Sequence, residues 1–165
     1  MWIPQDLKRV ELNIDYIYLR SLKLSKKKQI YLICHKITGH QYVVEMNQKY
    51  KCDKQNAIKL KQLATVAQSI DHPNIVKYLQ VYNCTEIYCF LAEYVEGKDL
   101  ASYLKLHEDI LSLDEVKRIY KQILAAVSYL HERNIFHGNL SLEKFILDSS
   151  GKVKLLSAMS LSLPK

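Results

Sequence analysis

The chain reads as an α+β protein in which a five-stranded antiparallel sheet with one helix is followed by a helical part. Three observations predict this. Five short runs rich in β-branched and aromatic residues fall between residues 16 and 92, the composition that suits a pleated, half-buried surface. One helical spacing interrupts them between the third and fourth runs. Beyond residue 99 the apolar pattern changes to the period of an α-helix and holds it over four turns.

The elements follow in order. The first fifteen residues show no clear period and read as a lead-in. Tyr16–Leu22, Gln29–His35 and Gln41–Met46 are the first three strands, broken by Ser25-Lys26-Lys27-Lys28 and by Lys36-Ile37-Thr38-Gly39-His40. Turns this short join antiparallel neighbours. After a polar bridge around Lys49–Lys54, Leu60, Leu63, Ala64 and Ala67 recur at i, i+3, i+4 and i+7, the mark of one buried helix face. That helix stops at Ser69-Ile70-Asp71-His72-Pro73, because proline biases the residue before it away from helical angles. Ile75–Tyr82 and Ile87–Ala92 complete the sheet, and Cys89-Phe90-Leu91-Ala92 suits a strand buried on both faces.

Glu93-Tyr94-Val95-Glu96-Gly97-Lys98 reads as a linker, and Asp99 as the N-cap of a short helix through Leu104. Ser112-Leu113-Asp114-Glu115 is a capping box, with serine at N-cap and glutamate at N3. It opens the strongest helix of the chain. Val116, Ile119, Tyr120, Ile123, Leu124, Val127 and Leu130 form its apolar stripe, with Lys117, Arg118, Lys121 and Gln122 outside. The helix ends near Asn134. Phe145–Leu147 and Lys152–Leu155 then flank Asp148-Ser149-Ser150-Gly151, a hairpin turn by composition. The expected organisation is a lead-in over 1–15, a sheet-and-helix part over 16–92, a linker over 93–98 and a helical part over 99–165. No internal repeat or low-complexity tract interrupts it.

Composition bounds the function class. The chain has 165 residues, 48% hydrophobic and 25% charged, an ordinary globular balance with enough apolar residues for a substantial core. Cys34, Cys52, Cys84 and Cys89 form no C-x-x-C pair and no metal-ligand spacing with histidine, which fits free thiols in a reducing cytoplasm. No apolar run approaches the roughly 20 residues of a membrane span, and Met1-Trp2-Ile3-Pro4-Gln5-Asp6 lacks the regions of a signal peptide. The net charge of +7 is lopsided: residues 1–78 carry 14 Lys/Arg against 6 Asp/Glu, and residues 79–165 carry 10 against 11. A basic half is compatible with nucleic acid or an acidic membrane surface. Apart from Lys26-Lys27-Lys28, however, the lysines are scattered and not interleaved with aromatics, so solvated lysine is the favoured reading.

Between the long helix and the hairpin stands His137-Gly138-Asn139-Leu140-Ser141-Leu142-Glu143-Lys144-Phe145-Ile146-Leu147. With Asp71-His72-Pro73-Asn74-Ile75-Val76, Glu93-Tyr94-Val95-Glu96-Gly97 and Tyr129-Leu130-His131, this frame resembles the protein kinase family, whose catalytic loop reads H-R-D-L-x-x-x-N. Each fragment alone is a weak signal, while their joint order covers nearly the whole chain. The resemblance implies a small lobe of five strands and a helix, a hinge, and the first part of a helical large lobe.

It also implies a site from which the chemistry has been removed. The family's aspartate accepts the substrate hydroxyl proton and its asparagine holds a magnesium ion. Those positions are Asn139 and Lys144 here; an amide is no proton acceptor near neutral pH, and an ammonium repels a dication. Ser141 replaces a lysine common in serine/threonine members, and Ser157 aligns with the metal-binding aspartate of D-F-G, where a hydroxyl is a poor sole ligand for magnesium. The three places of the glycine-rich loop fall at Lys23, Ser25 and Lys28, whose side chains are expected to hold a triphosphate off. Glu45 stands where the family's phosphate-gripping lysine belongs, and Leu63 where that lysine's glutamate partner belongs. At ~4 Å and an effective dielectric near 20, a unit charge pair is worth about 4 kcal/mol, so exchanging attraction for repulsion at residue 45 turns a binding contact into an exclusion. Val43 is bulkier than the family's alanine and would crowd an adenine slot, and His137 is structural in this family. Glu93, Tyr94 and Val95 are residual adenine-site candidates and Asp99 a residual ribose-site candidate, although a linker and an N-cap need no ligand.

The expected function is therefore a non-catalytic, pseudokinase-like binding or scaffolding module without cofactor or metal. One alternative is a serine/threonine-type kinase domain with a non-standard ATP site, in which Lys26 to Lys28 supply the charge that Glu45 does not and ATP with magnesium is the cofactor. Another is a truncated, non-functional fragment. Because the chain stops near the place where the family's activation segment begins, apolar surface along Val116 to Leu130 is expected to face water or a protein partner that covers the incomplete large lobe.

Overall fold

The computed structural model describes residues 12, 14–25, 28–48, 62, 64–84, 86–107 and 110–156. Its first half is a five-stranded antiparallel sheet built from β1 (Tyr16–Leu24), β2 (Lys28–His35), β3 (Gln41–Gln48), β4 (Tyr78–Asn83) and β5 (Ile87–Glu93), in the order β1-β2-β3-β5-β4. The interior strand β5, between β3 and β4, is buried along almost its whole length, as the unbroken apolar run at residues 89–92 requires. Alternation on β2, β3 and β5 sends Tyr31, Ile33, Val44, Met46, Ile87, Cys89 and Leu91 into one cluster, which Leu12 of the lead-in joins with Tyr16, Tyr18, Tyr42 and Tyr82 packed around it. Edge-to-face contacts of Tyr16 with Tyr42 and of Tyr18 with Tyr31 order these rings. The lead-in is thus anchored at residues 12–15: Tyr16 donates its amide to the Leu12 carbonyl, and Lys36 donates to the Asp15 carbonyl.

Between β3 and β4 the described residues 64–69 are helical, with Ala64 and Ala67 buried as the i, i+3 spacing requires. Leu60 and Leu63 lie outside the described residues. The fourth strand starts later than its residues suggest. Ile75 and Val76 are β-branched and buried, but they do not belong to β4. Ile75 forms a parallel bridge with Leu155, Val76 donates to the Leu155 carbonyl, and Leu155 donates to the Asn74 carbonyl.

These bonds place residues 69–77 with the later part of the chain. The first compact unit comprises the residues up to Gln68 with Tyr78–Tyr94, and the second comprises Ser69–Lys77 with the residues from Val95 onward.

The second unit is built from β6 (Gly97–Asp99), α1 (Leu100–Leu106), α2 (Leu113–His131), a 3-10 turn at Leu142–Lys144, β7 (Phe145–Asp148) and β8 (Val153–Leu155). The linker assignment over 93–98 changes here, since Gly97 and Lys98 pair with Asp148 and Leu147 in a three-stranded sheet β6-β7-β8. Gly97 permits this pairing: a Cβ at that residue would lie 2.3 Å from the Leu147 carbonyl oxygen. Asp99 caps α1, accepting from the Ser102 amide at 2.9 Å. Ser112 caps α2, accepting from the Glu115 amide at 3.2 Å, while the Glu115 carboxylate receives the Tyr103 hydroxyl at 2.7 Å.

The α2 stripe is only partly covered. Ile119, Ala126 and Leu130 are buried, whereas Val116, Tyr120 and Leu124 are exposed. Gln122, assigned to the solvent side by its polarity, is instead half-buried. Its Oε1 accepts from Asn74 Nδ2 and from the Val153 amide, each at 2.9 Å, and its Nε2 donates to the Gly151 carbonyl at 3.0 Å. The turn at 148–151 closes as its composition demands. Asp148 Oδ1 accepts from the amides of Ser150 and Lys152, and Gly151 takes a positive φ of 79°.

Candidate functional site

In the first unit the relevant positions lie on β1, β2 and β3. Lys23 belongs to β1 and pairs with Ile30, so ladder pairing continues to the end of the strand. The turn beyond it is closed by its own groups. The Ser25 amide donates to the Lys28 carbonyl at 2.9 Å, and the Lys28 amide donates to Ser25 Oγ at 3.0 Å. Amides bonded within the turn are not free to cradle a phosphate. Lys26 and Lys27 lie outside the described residues.

Glu45 sits mid-strand on β3, with Ile30 of β2 and Phe90 of β5 as its cross-strand neighbours. Its side chain is 13% exposed, and a carboxylate so withdrawn from water needs donors. It has two: Lys28 Nζ at 2.7 Å and Asn47 Nδ2 at 3.0 Å, both on Oε1. Val43 on the same face pairs with Leu32 on one side and Ala92 on the other. Leu63 lies outside the described residues. Glu93 ends β5 opposite Tyr42, and Tyr94 and Val95 follow in irregular backbone, all three half-buried. On the opposite face of the sheet, among Val44, Met46 and Leu91, the Cys89 thiol is pushed far up by burial, which leaves it without nucleophilic thiolate.

In the second unit the loop 137–144 gathers Asn139, Ser141 and Lys144. His137 anchors it: the imidazole is 3% exposed, with Nε2 3.0 Å from the Leu156 carbonyl oxygen. Burial holds its pKa below the ordinary histidine value, and the neighbouring Lys144 ammonium acts in the same direction, against the Leu156 bond that favours the charged form. Gly138 turns the chain with a φ of 70°. Beyond it Asn139 and Ser141 are exposed. Ser141 stands at the N-cap of the 3-10 turn, its carbonyl accepting from the Lys144 amide, and the Lys144 carbonyl accepts from the Leu156 amide. Leu156 is thus tied to the loop at both His137 and Lys144. Ser157, the next residue, lies outside the described residues.

Asp99 is fully engaged as a cap. Its two oxygens take the Ser102 amide and hydroxyl, and the Ser102 amide bond chiefly holds its carboxyl below the usual range.

A buried cluster joins residues 72–74 to α2 and β8, through bonds that the motifs containing His72, Asn74 and Tyr129 do not reveal. Asn74 is buried, and its Nδ2 donates to Gln122 Oε1 at 2.9 Å and to the Val153 carbonyl at 2.8 Å. Its amide donates to His72 Nδ1 at 3.1 Å. The His72 ring lies 4.9 Å from Tyr129, which is covered by the Arg133 guanidinium at 3.7 Å. The only prior signal was the asparagine after a helix-ending proline, a position with one buried amide to satisfy.

Charge is therefore arranged against a magnesium-bound triphosphate on both units. In the first the Glu45 carboxylate repels phosphate, and in the second the Lys144 ammonium repels a metal dication and the Asn139 amide is no base. The group does not fit the residues present.

Residues 26–157 match the model of the protein kinase domain. Among curated proteins, the chain is 29% identical over 144 residues to Sperm motility kinase 2B of Mus musculus, an alignment covering 87% of this chain and 29% of that protein. It is 28% identical over 158 residues to the probable serine/threonine-protein kinase KIN1 homolog of Enterocytozoon bieneusi, covering 87% of this chain and 25% of that protein. It is 30% identical over 132 residues to CBL-interacting protein kinase 25 of Oryza sativa subsp. japonica, covering 77% and 26%. The chain spans less than a third of the length of each of these relatives.

Proposed function

The chain belongs to the protein kinase family, and from that premise we propose that it is a non-catalytic, pseudokinase-like module that binds or scaffolds protein. The observation that carries this reading is Glu45. Position 45 holds a carboxylate, and that carboxylate is integrated into the sheet by Lys28 and Asn47, so it is not a stray surface substitution that a rotamer change could move aside. Phosphoryl transfer depends on metals and charges positioned together. Asn139, Lys144 and Ser157 add a missing base and two missing metal ligands.

Protein binding is supported by apolar side chains that remain in water in the second unit. Val116, Tyr120 and Leu124 on α2 and Leu140 and Leu142 on the loop are all exposed, and apolar surface of this kind marks contact sites. A cytoplasmic setting is supported by Cys34 and Cys89, which are free thiols. Among the described residues no helix is long and apolar enough to cross a membrane.

A serine/threonine kinase with a non-standard ATP site is favoured by the similarity to the probable serine/threonine-protein kinase KIN1 homolog of Enterocytozoon bieneusi. Its weakness is Lys28. That lysine is the described member of the basic run on which such a site would draw, and it already neutralises Glu45.

The test is phosphotransfer from ATP with magnesium, on the purified protein and on its Asn139→Ala and Lys144→Ala variants. The expected result is no incorporation above background in any of the three. Incorporation by the wild type that either substitution abolishes overturns the reading.

A further inference from the structure

Glu45 carries a second consequence, which rests on the non-catalytic reading but concerns what its charge does. Lys28 and Asn47 face one another across β2 and β3, and both send their donors to the same oxygen of Glu45, two residues along the strand. The carboxylate is 13% exposed and the lysine side chain 33% exposed, so salt screens their attraction little. Ser25 and Lys28 are also bonded to one another, through the Ser25 amide, the Lys28 amide and the Ser25 hydroxyl.

We propose that Glu45 is an internal anion for Lys28, forming an ion pair that neutralises the lysine of β2 and competes with phosphate-bearing ligands for it. An arriving phosphate would have to displace a carboxylate that the fold already holds against the ammonium. A tethered competitor acts at an effective concentration far above that of a dilute ligand. The pair also explains how a carboxylate is tolerated between Ile30 and Phe90: its cation comes from the neighbouring strand and not from solvent.

Glu45→Gln tests this directly, because it keeps the shape and the acceptor oxygen while removing the charge. Thermal unfolding is followed with and without millimolar inorganic tripolyphosphate. The wild-type midpoint is expected to stay unchanged, the Glu45→Gln midpoint to rise with the anion, and the Lys28→Ala/Glu45→Gln double variant to lose that rise. A Glu45→Gln protein that responds no more than the wild type overturns the proposal. So does a double variant that responds as strongly as the single one.

Should Glu45→Gln fail to fold, the charge-swapped Lys28→Glu/Glu45→Lys protein is compared with its two single variants. Recovery of the midpoint lost in each single supports the pair, and no recovery overturns it. Phosphotransfer by the wild type would sink the non-catalytic reading alone, whereas an unresponsive Glu45→Gln protein without phosphotransfer would sink the ion pair alone.

Discussion

The two units handle replaced chemistry in different ways. In the first, Glu45 is largely withdrawn from water and is paired with Lys28 from β2 and Asn47 from its own strand. In the second, Asn139 and Ser141 are exposed, Lys144 is half-buried, and the frame around them has kept its own bonds through His137, Leu156, Asn74 and Gln122. A charge withdrawn from water is costly unless it is paired or neutralised. A polar residue on a solvated loop is free to change without an answer. The loop therefore keeps its shape through bonds that do not involve the side chains of Asn139 and Ser141, whereas the glutamate at residue 45 leans on the partners it has in the sheet.

The sharpest way to break this comparison is at the brace of the second unit. Asn74→Ala strands the Val153 carbonyl in a buried setting and removes one of the two donors on Gln122 Oε1, and a loss of about 3 kcal/mol is expected from the carbonyl left unsatisfied together with the second lost bond. Urea denaturation monitored at Tyr129 would measure it, and a loss below about 1 kcal/mol would mean that water replaces the amide at little cost. Gln122→Ala should cost less, about 2 kcal/mol, because the half-buried site lets water reach some of the groups left behind. On the first unit, Lys28→Ala is expected to cost about 1–2 kcal/mol and more than Glu45→Gln, since only the former leaves an unpaired, mostly desolvated carboxylate. Equal costs would remove the reason for contrasting the two units.

Acid should weaken the second unit before the first. His72 and His137 both titrate below the ordinary histidine value, chiefly because of burial, and Arg133 adds to the effect at His72. A depressed histidine contributes stability that is intact above its unfolded value near 6.5 and lost as the pH falls through its folded value, because the unfolded chain then binds more protons. His72 also accepts the Asn74 amide through Nδ1, a bond that protonation breaks. Hydrogen exchange compared at about pH 7.5 and about pH 5.5 should show residues 71–77 and 137–156 losing protection while β2, β3 and β5 keep theirs. Uniform loss across both units would point to a different cause. The smallest effect is expected at the loop surface. Asn139→Asp should change stability by no more than about 0.5 kcal/mol and should not confer phosphotransfer, since Glu45 remains.

Much of the frame was legible because its signals are local. Ser112 and Asp99 cap the helices as their positions suggest, and the five strands stand where β-branched and aromatic runs occur. The misplacements share one cause: the decisive partner lies far along the chain. Ile75 and Val76 have strand composition but bond to Leu155. Gly97 looks like a linker glycine until Leu147 is beside it. Gln122 is polar on a helix, and only the amides of Asn74 and Val153 make it an interior residue. At the site, the identity of residue 45 follows from counting along a strand, whereas its ion pair depends on a register in which Lys28 opens β2 and does not belong to the preceding turn.

The central claim is that the residues on both units reject a magnesium-bound triphosphate, and the most direct measurement is a calorimetric titration of the purified protein with ATP at millimolar magnesium. The account predicts no saturable heat and no difference when magnesium is omitted. Saturable, magnesium-dependent binding that is lost in Lys144→Ala or Lys28→Ala would contradict it.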